Sequence, residues 1–323
     1  MSKLFLILIS SFLAINMGSS GYSVSFASSV GAEIIKKEKA VIVFTIFVLL
    51  GSIFAGINVV KTLNSKIIPK EILTQDIVLV ILLSSSISLF IANIFKIPQS
   101  TSIITIASFA GIGLYFKNLN TLFLIKILIL WTIMSIFVYY FTYLIWKKIY
   151  PPNFKNIKIY EKIFLNVERL KKFTLFTDLY RSFGIGTNNV ANVVGPLYAA
   201  KIISPYEGFF IYSFLFGLGA YILGRKVITT ISKDIIYIGI ASSSIISLVV
   251  STVIILCSIL GIPAPYVQFS TFSILAIHTL KEEKKHLETF INHPLSKKII
   301  KIWIITPILS CFISGSLLYF LKK

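Results

Sequence analysis

Charge is what this chain has least of, and acidic charge above all. Of its 323 residues 13% are charged, against about 25% in an ordinary soluble domain. Only 12 are Asp or Glu, beside 31 Lys or Arg. Cysteine is down to Cys257 and Cys311, far apart and each inside an apolar run. They read as small core residues and report no redox compartment. The three histidines, His278, His286 and His293, gather near one polar loop without metal-ligand spacing, so no metal site is expected. No Gly-x4-Gly-Lys-Ser/Thr phosphate loop occurs, and no nucleophile–base constellation. These absences argue against an enzyme, a bound cofactor or a nucleotide-driven pump.

What is abundant is apolar surface. Hydrophobic residues make up 56% of the chain, and mean hydropathy is +0.89. Apolar runs recur at 3–17, 40–60, 77–95, 103–116, 121–146, 208–224, 235–262 and 302–321. Several reach the roughly 20 residues that cross a bilayer core. The fold class expected is an all-α polytopic membrane protein. The net charge of +19 is compatible with nucleic acid in isolation, but the basic residues sit between apolar runs, where they set topology. The bilayer, not nucleic acid, is the expected partner.

An internal repeat organises the chain. At an offset of 168, Gly18 answers Gly186, Ser19 answers Thr187, Ala32 answers Ala200, and Ile34-Ile35 answers Ile202-Ile203. The same register pairs Gly51 with Gly219, Gly56 with Gly224, Val59 with Val227 and Thr62 with Thr230. Residues 1–27 resemble a signal peptide, but a cleaved leader has no reason to be duplicated in mid-chain, so a retained first helix is expected. Ile97-Pro98 matches Ile262-Pro263 at 165. Each half then holds about five apolar segments, and an odd number makes the two halves inverted repeats. Residues 1–146 form the first repeat, 147–172 a basic linker and 173–323 the second repeat. Placing the linker in the cytoplasm puts 21 Lys/Arg inside and 8 outside, setting aside Lys126 and Arg181. That matches the positive-inside rule and leaves both termini outside a plasma membrane. Within the linker Tyr160, Phe164, Val167 and Leu170 share one helical face, so either an amphipathic surface helix or a solvated connector is expected.

Four places put polar or helix-breaking residues where a spanning helix should run. They are Gly18-Ser19-Ser20-Gly21, its partner Gly186 to Pro196, the turn Pro98-Gln99-Ser100-Thr101-Ser102, and Pro263-Ala264-Pro265-Tyr266-Val267-Gln268. Breaks at corresponding positions of two repeats point to a transporter's midplane site, and an exposed helix N-terminus suits an anion. Helix breaks are therefore expected at Gly18, Gly21, Gly186, Gly195 and Pro196. The amides of Asn188, Asn189 and Asn192 need partners at such depth. The serines at 84–86 and 242–244 read as helix-packing residues. Asp178 and Arg181 precede the second break by a few residues. Either they lie at depth, with Arg181 pairing to Asp178 and facing the anion, or the span begins later and both are interfacial.

The stretch Gly186-Thr-Asn-Asn-Val-Ala-Asn-Val-Val-Gly-Pro-Leu197 resembles the Gly-Ala-Asn-Asp-Val-Ala-Asn signature of the inorganic phosphate transporter family, and Pro98-Gln-Ser-Thr-Ser102 resembles the Pro-x-Ser-Thr-Thr-His turn that follows it there. The similarity is nearer to the family's sulfate-permease branch, carried by Ala14 to Gly21, Asn58 to Thr62, Ile97 to Ser102, Asn188 to Asn192 and Pro263 to Gln268. The resemblance implies a secondary permease, broken helices and re-entrant turns. It also implies an anion site using Ser19, Ser20, Ser100, Thr101, Thr187, Asn188, Asn189, Asn192 and Gln268, with Arg181 added from its own position. Departures matter: Ser20, Gly21 and Val24 stand where the first signature has Asn, Asp and Asn, and Asn189 stands for the second Asp. Val48 replaces a second-helix Glu, and Ile103 and Gln268 replace the turns' His. Phosphate keeps a proton that a carboxylate can accept, whereas sulfate has none and is only repelled. Sulfate is thus expected ahead of phosphate, with H+ or Na+ as coupling ion. A homodimer is a permitted assembly.

Overall fold

The computed structural model describes residues 3–94, 99–224, 239–281 and 294–321, and no strand occurs among them. Pro98, Val227, Thr230, His286 and His293 lie outside the described residues. The first repeat holds α1 (Lys3–Gly31), α2 (Lys37–Gly51), α3 (Ile57–Ser65), α4 (Gln75–Ile94), α5 (Thr101–Tyr115) and α6 (Thr121–Ile149). A short α7 (Ile157–Tyr160) lies in the linker. The second repeat holds α8 (Val167–Asn189), α9 (Ala191–Ala199), α10 (Pro205–Gly219), α11 (Ile240–Ile259), α12 (Tyr266–Lys281) and α13 (Pro294–Leu321).

Local sequence explains the ends. Asn120 accepts from the Phe123 N–H (3.0 Å) to start α6, which closes on Lys147 and Lys148, where the helix dipole favours cations. Ser204 and Glu207 form a capping box around Pro205 to start α10. Asn166 caps α8 through the Arg169 N–H. That cap breaks the amphipathic helix expected over the linker: α7 and a π turn at Glu161–Leu165 stop before it, and Val167 and Leu170 belong to α8.

Seven helices among the described residues are long and apolar enough to cross a membrane. α6 shows the lipid-facing pattern most plainly, with Leu122, Ile125, Leu128, Ile129, Ile133 and Phe137 exposed. α5, at 15 residues, spans only about 22 Å, short of the ~30 Å hydrocarbon core. α8 is too polar to count as a span on composition, and its second half is buried by protein instead.

The repeat governs how the helices cross. α1 packs on α10, and α8, its repeat counterpart, packs on α2. A Cβ on Gly18 would strike the backbone of Phe216, and one on Gly186 the backbone of Val48. One on Gly51 would strike Phe183, and one on Gly219 the backbone of Ile15. Phe216 and Val48 differ by the same 168 as Gly186 and Gly18, and so do Phe183 and Ile15. Two equivalent crossings therefore use one glycine pair each. Immediately beyond Gly51 and Gly219 each second helix makes a π turn, at Ser52–Gly56 and Ala220–Gly224.

These crossings correct the expected breaks. α1 runs unbroken through Gly18 and Gly21, and Gly186 lies inside α8. Gly18 and Gly186 leave space for a neighbouring backbone, and Gly21 for the side chains of Ile185 and Phe44, rather than ending a helix. The interruption in the second repeat is Val190 alone, still right-handed at φ −61° and ψ −35°. Gly195 and Pro196 lie inside α9, where Gly195 gives room to Leu63.

The serine clusters join helices as expected. Ser108 on α5 meets Ser84 (3.0 Å) and Ser85 (2.9 Å) on α4 and Ser310 (2.7 Å) on α13. Ser243 meets Ser28 at 2.6 Å, and Ser244 donates to Thr174 at 3.1 Å.

Candidate functional site

Two hairpin tips converge on the middle of the α8–α9 pair. The tip before α5 ends at Gln99 and Ser100, the latter in extended backbone, and the tip before α12 spans residues 262–265. Proline explains the second: Pro263 and Pro265 lack the N–H a helix needs, so α12 begins only at Tyr266. Both helices present their N-termini inward, and Ser100 makes no side-chain cap on α5.

Asn188, fully buried, touches both tips. Its Oδ1 accepts from the Ala264 N–H (2.9 Å), and its Nδ2 donates to the Ala264 carbonyl (3.0 Å), to Ser102 Oγ (3.1 Å) and to Asn189 Oδ1 (2.9 Å). One turn on, Asn192 Nδ2 donates to Thr101 Oγ1 (3.2 Å) and Ser102 Oγ (3.0 Å). Gln268 Nε2 donates to Gln99 Oε1 (3.2 Å), and Gln99 Nε2 donates to Thr306 on α13. Asn192 Oδ1 and Gln268 Oε1 are buried with no partner; as acceptors they call for a hydrogen-bond donor or a cation rather than an oxyanion.

Arg181 lies seven residues before Asn188, two turns back on the same face and about 10 Å along the axis. It is 6% exposed, so it is enclosed by protein. Its guanidinium donates to the Tyr266 hydroxyl, to Ser247 Oγ (3.2 Å) and to Ser270 Oγ (3.3 Å), and it lies 5.1 Å from the Tyr266 ring centroid. The expected pairing with Asp178 is absent. No ion pair within 4.0 Å joins them, and Asp178 is held by Ser29 instead. Trp131 Nε1 donates to the Pro263 carbonyl (2.7 Å). The second tip is thus anchored at Pro263 by Trp131 and at Ala264 by Asn188, and Arg181 holds Tyr266, the first residue of α12.

The residues expected at the site fall into three groups. Asn188, Asn189, Asn192 and Thr101 meet directly, and Gln268 and Ser100 lie at the tips beside Gln99. Thr187 turns back to the Gly184 carbonyl of its own helix (2.8 Å). Ser19 and Ser20 take no part: Ser20 is exposed, and no hydrogen bond joins either to the amide cluster. Ser102, Gln99, Tyr266, Ser247 and Ser270 are the site residues that sequence reasoning passed over. For Ser102 a signal existed, as the last hydroxyl of the Gln-Ser-Thr-Ser turn.

The phosphate transporter family profile matches this chain twice, at residues 17–171 and 152–314, one match per repeat. The chain belongs to the phosphate transporter family. This family member is 34% identical over 309 residues to the sulfate permease CysP of Bacillus subtilis, covering 95% of this chain and 85% of that one. It is 26% identical over 310 residues to the putative phosphate permease MJ0630 of Methanocaldococcus jannaschii, covering 95% and 94%. In structure it superposes on a sodium-dependent phosphate transporter with a TM-score of 0.83 and 17% identity, over 99% of this chain and 98% of the other. The family member is accordingly a multi-pass membrane permease built from two inverted repeats, and not an enzyme.

Proposed function

We propose that this permease moves a tetrahedral inorganic oxyanion inward by ion-coupled secondary transport, with sulfate preferred to phosphate. The observation that carries the reading is the chemistry of the convergence point. Amides (Asn188, Asn189, Asn192), hydroxyls (Thr101, Ser102) and two helix N-termini meet there without a carboxylate. Arg181 supplies a buried positive charge two turns away on the same helix face. Donors without acids suit an anion that carries no proton to share. The similarity to a protein named a sulfate permease supports the same choice.

The anion would displace part of the present network, and the hairpin tips would move against α8 and α9 as access alternates. The basic linker lies in the cytoplasm and both termini outside, with H+ or Na+ as the driving ion. Phosphate is the second reading, supported by the relatives named for it.

Radiolabelled uptake into proteoliposomes tests this, with proton and sodium gradients imposed in turn. Sulfate should accumulate against its gradient, and unlabelled sulfate should compete better than phosphate. The reverse order of competition would overturn the substrate choice. Equilibration without accumulation under either gradient would mark a channel.

A further inference from the structure

Among the described residues the anion site leaves one buried carboxylate unused. Among the described residues there are eight carboxylates, and seven of them, Glu33, Glu38, Glu71, Asp76, Glu161, Glu168 and Glu207, are exposed. Asp178 is 0% exposed. Arg181 is likewise the single buried cation among the described side chains. The two lie three residues apart on α8, yet every hydrogen-bond partner of the guanidinium is a neutral hydroxyl.

Asp178 is held on one side only. Its Oδ2 accepts from Ser29 Oγ (2.5 Å) and from the Ser29 N–H (3.2 Å), while Oδ1 is buried with no partner. Ser25 Oγ, one turn back along α1, is also buried and unpaired. The charged or titratable groups facing the carboxylate are Arg181 on its own helix and Tyr266 on α12. α1 offers Ser25, Ser28 and Ser29, and α11 offers Ser243, Ser244 and Ser247. Lys37, Glu38 and Lys39 on α2, and Glu161 and Lys162 in the linker, are not buried.

We infer that Asp178 is the proton-binding site through which anion movement is coupled to H+. The inference rests on the permease reading above and names its coupling ion. With Asp178 ionised, Asp178 and Arg181 taken together carry no net charge, although no ion pair joins them. A proton from water on the outer side bonds to Oδ1, and the pair becomes net positive while Arg181 stays protonated throughout. The anion then binds against an uncompensated guanidinium. On the cytoplasmic side Oδ1 returns its proton to water, the carboxylate regains its charge, and the anion is released. Linkage makes this reciprocal: the proton tightens anion binding as much as the anion tightens proton binding.

The size of the effect follows from distance. Asp178 and Asn188 are ten residues apart, about 15 Å along the helix axis. Removing a unit negative charge at that range raises affinity for a dianion by roughly ten- to fifty-fold at an effective dielectric near 20. Sulfate is the suitable probe, because its own charge is constant from weakly acidic to neutral pH.

The test measures sulfate affinity of the full chain across that range, together with proton uptake on binding. Proton uptake is read by calorimetry in two buffers of different ionisation heat. The wild type should bind sulfate about ten- to fifty-fold more tightly at the acid end and take up protons as it binds. Asp178→Asn should flatten the pH dependence and abolish accumulation driven by a pH gradient, and Asp178→Glu should keep both. Wild-type binding that is independent of pH and takes up no proton would overturn the inference, and that measurement stands even where a variant fails to fold. So would an Asn variant that still accumulates sulfate on a pH gradient. Failure of the wild type to bind either sulfate or phosphate would instead bring down the permease reading, and the inference with it.

Discussion

The side-chain amide of Asn188 pairs with both backbone groups of Ala264, accepting from its N–H at 2.9 Å and donating to its carbonyl at 3.0 Å. One side chain thereby does for the second hairpin tip what a neighbouring strand does for an extended segment. The Ala264 N–H finds its partner in this side chain, and irregular backbone in a bilayer survives only where protein or water supplies such partners.

Asn188→Ala removes that pairing and leaves the buried Ala264 N–H without a partner, while the Ala264 carbonyl keeps the Tyr266 N–H at 3.0 Å. The expected cost is about 2–4 kcal/mol of stability, with loss of transport. Thermal unfolding in detergent and liposome uptake check the two halves of the expectation. Full transport with unchanged stability would remove Asn188 from the site.

Arg181→Gln should weaken anion affinity by roughly ten- to a hundred-fold while the protein still inserts. Arg181→Lys should recover little, because a single ammonium cannot hold three hydroxyls in a fork. Equilibrium binding of labelled sulfate to purified protein distinguishes these outcomes, and wild-type affinity in the Gln variant would exclude a role in binding.

Gly18→Ala and Gly186→Ala should each destabilise strongly, since each new methyl meets backbone that cannot rotate away. A cost of about 2 kcal/mol or more is expected. Gly315→Ala is the control: its nearest contact is the Gly111 carbonyl at 3.7 Å. It should be neutral or mildly stabilising through helix propensity. Equal melting temperatures for Gly18→Ala and Gly315→Ala would contradict the crossing geometry.

Ser102→Ala takes an acceptor from both Asn188 and Asn192. Asn192 then keeps Thr101 alone. A loss of about 1 kcal/mol in stability with reduced uptake is expected, and Thr101→Ala alone should cost less.

How far the chain itself announces these features depends on whether the partner is local. The 168-residue register was visible because glycines recur at fixed places, and the family signature marked Asn188, Asn189 and Asn192. What those glycines do was not visible. Gly186 beside Thr187 and two asparagines has the composition of a break, and only the backbone of Val48 across the crossing shows that it is a contact. Ala264 is a plain alanine 76 residues from Asn188, and nothing in its identity reveals a polar role. Asp178 and Arg181 sit at salt-bridge spacing, but Ser29 and Tyr266 come from other helices and claim them. Ser20 looked like an anion ligand by alignment with Asn188, yet its side of the pseudo-symmetry carries no matching network.

The paired glycine crossings also bear on how such a chain arises and is made. α1 closes on α10 and α8 on α2, so neither half completes its own packing. An isolated half would leave its glycine grooves open to lipid until the other half is inserted. Two copies of one half-length chain, threaded through the membrane in opposite senses, would build both crossings from a single set of contacts. In this chain the two crossings share one set of contacts while the chemistry around them differs.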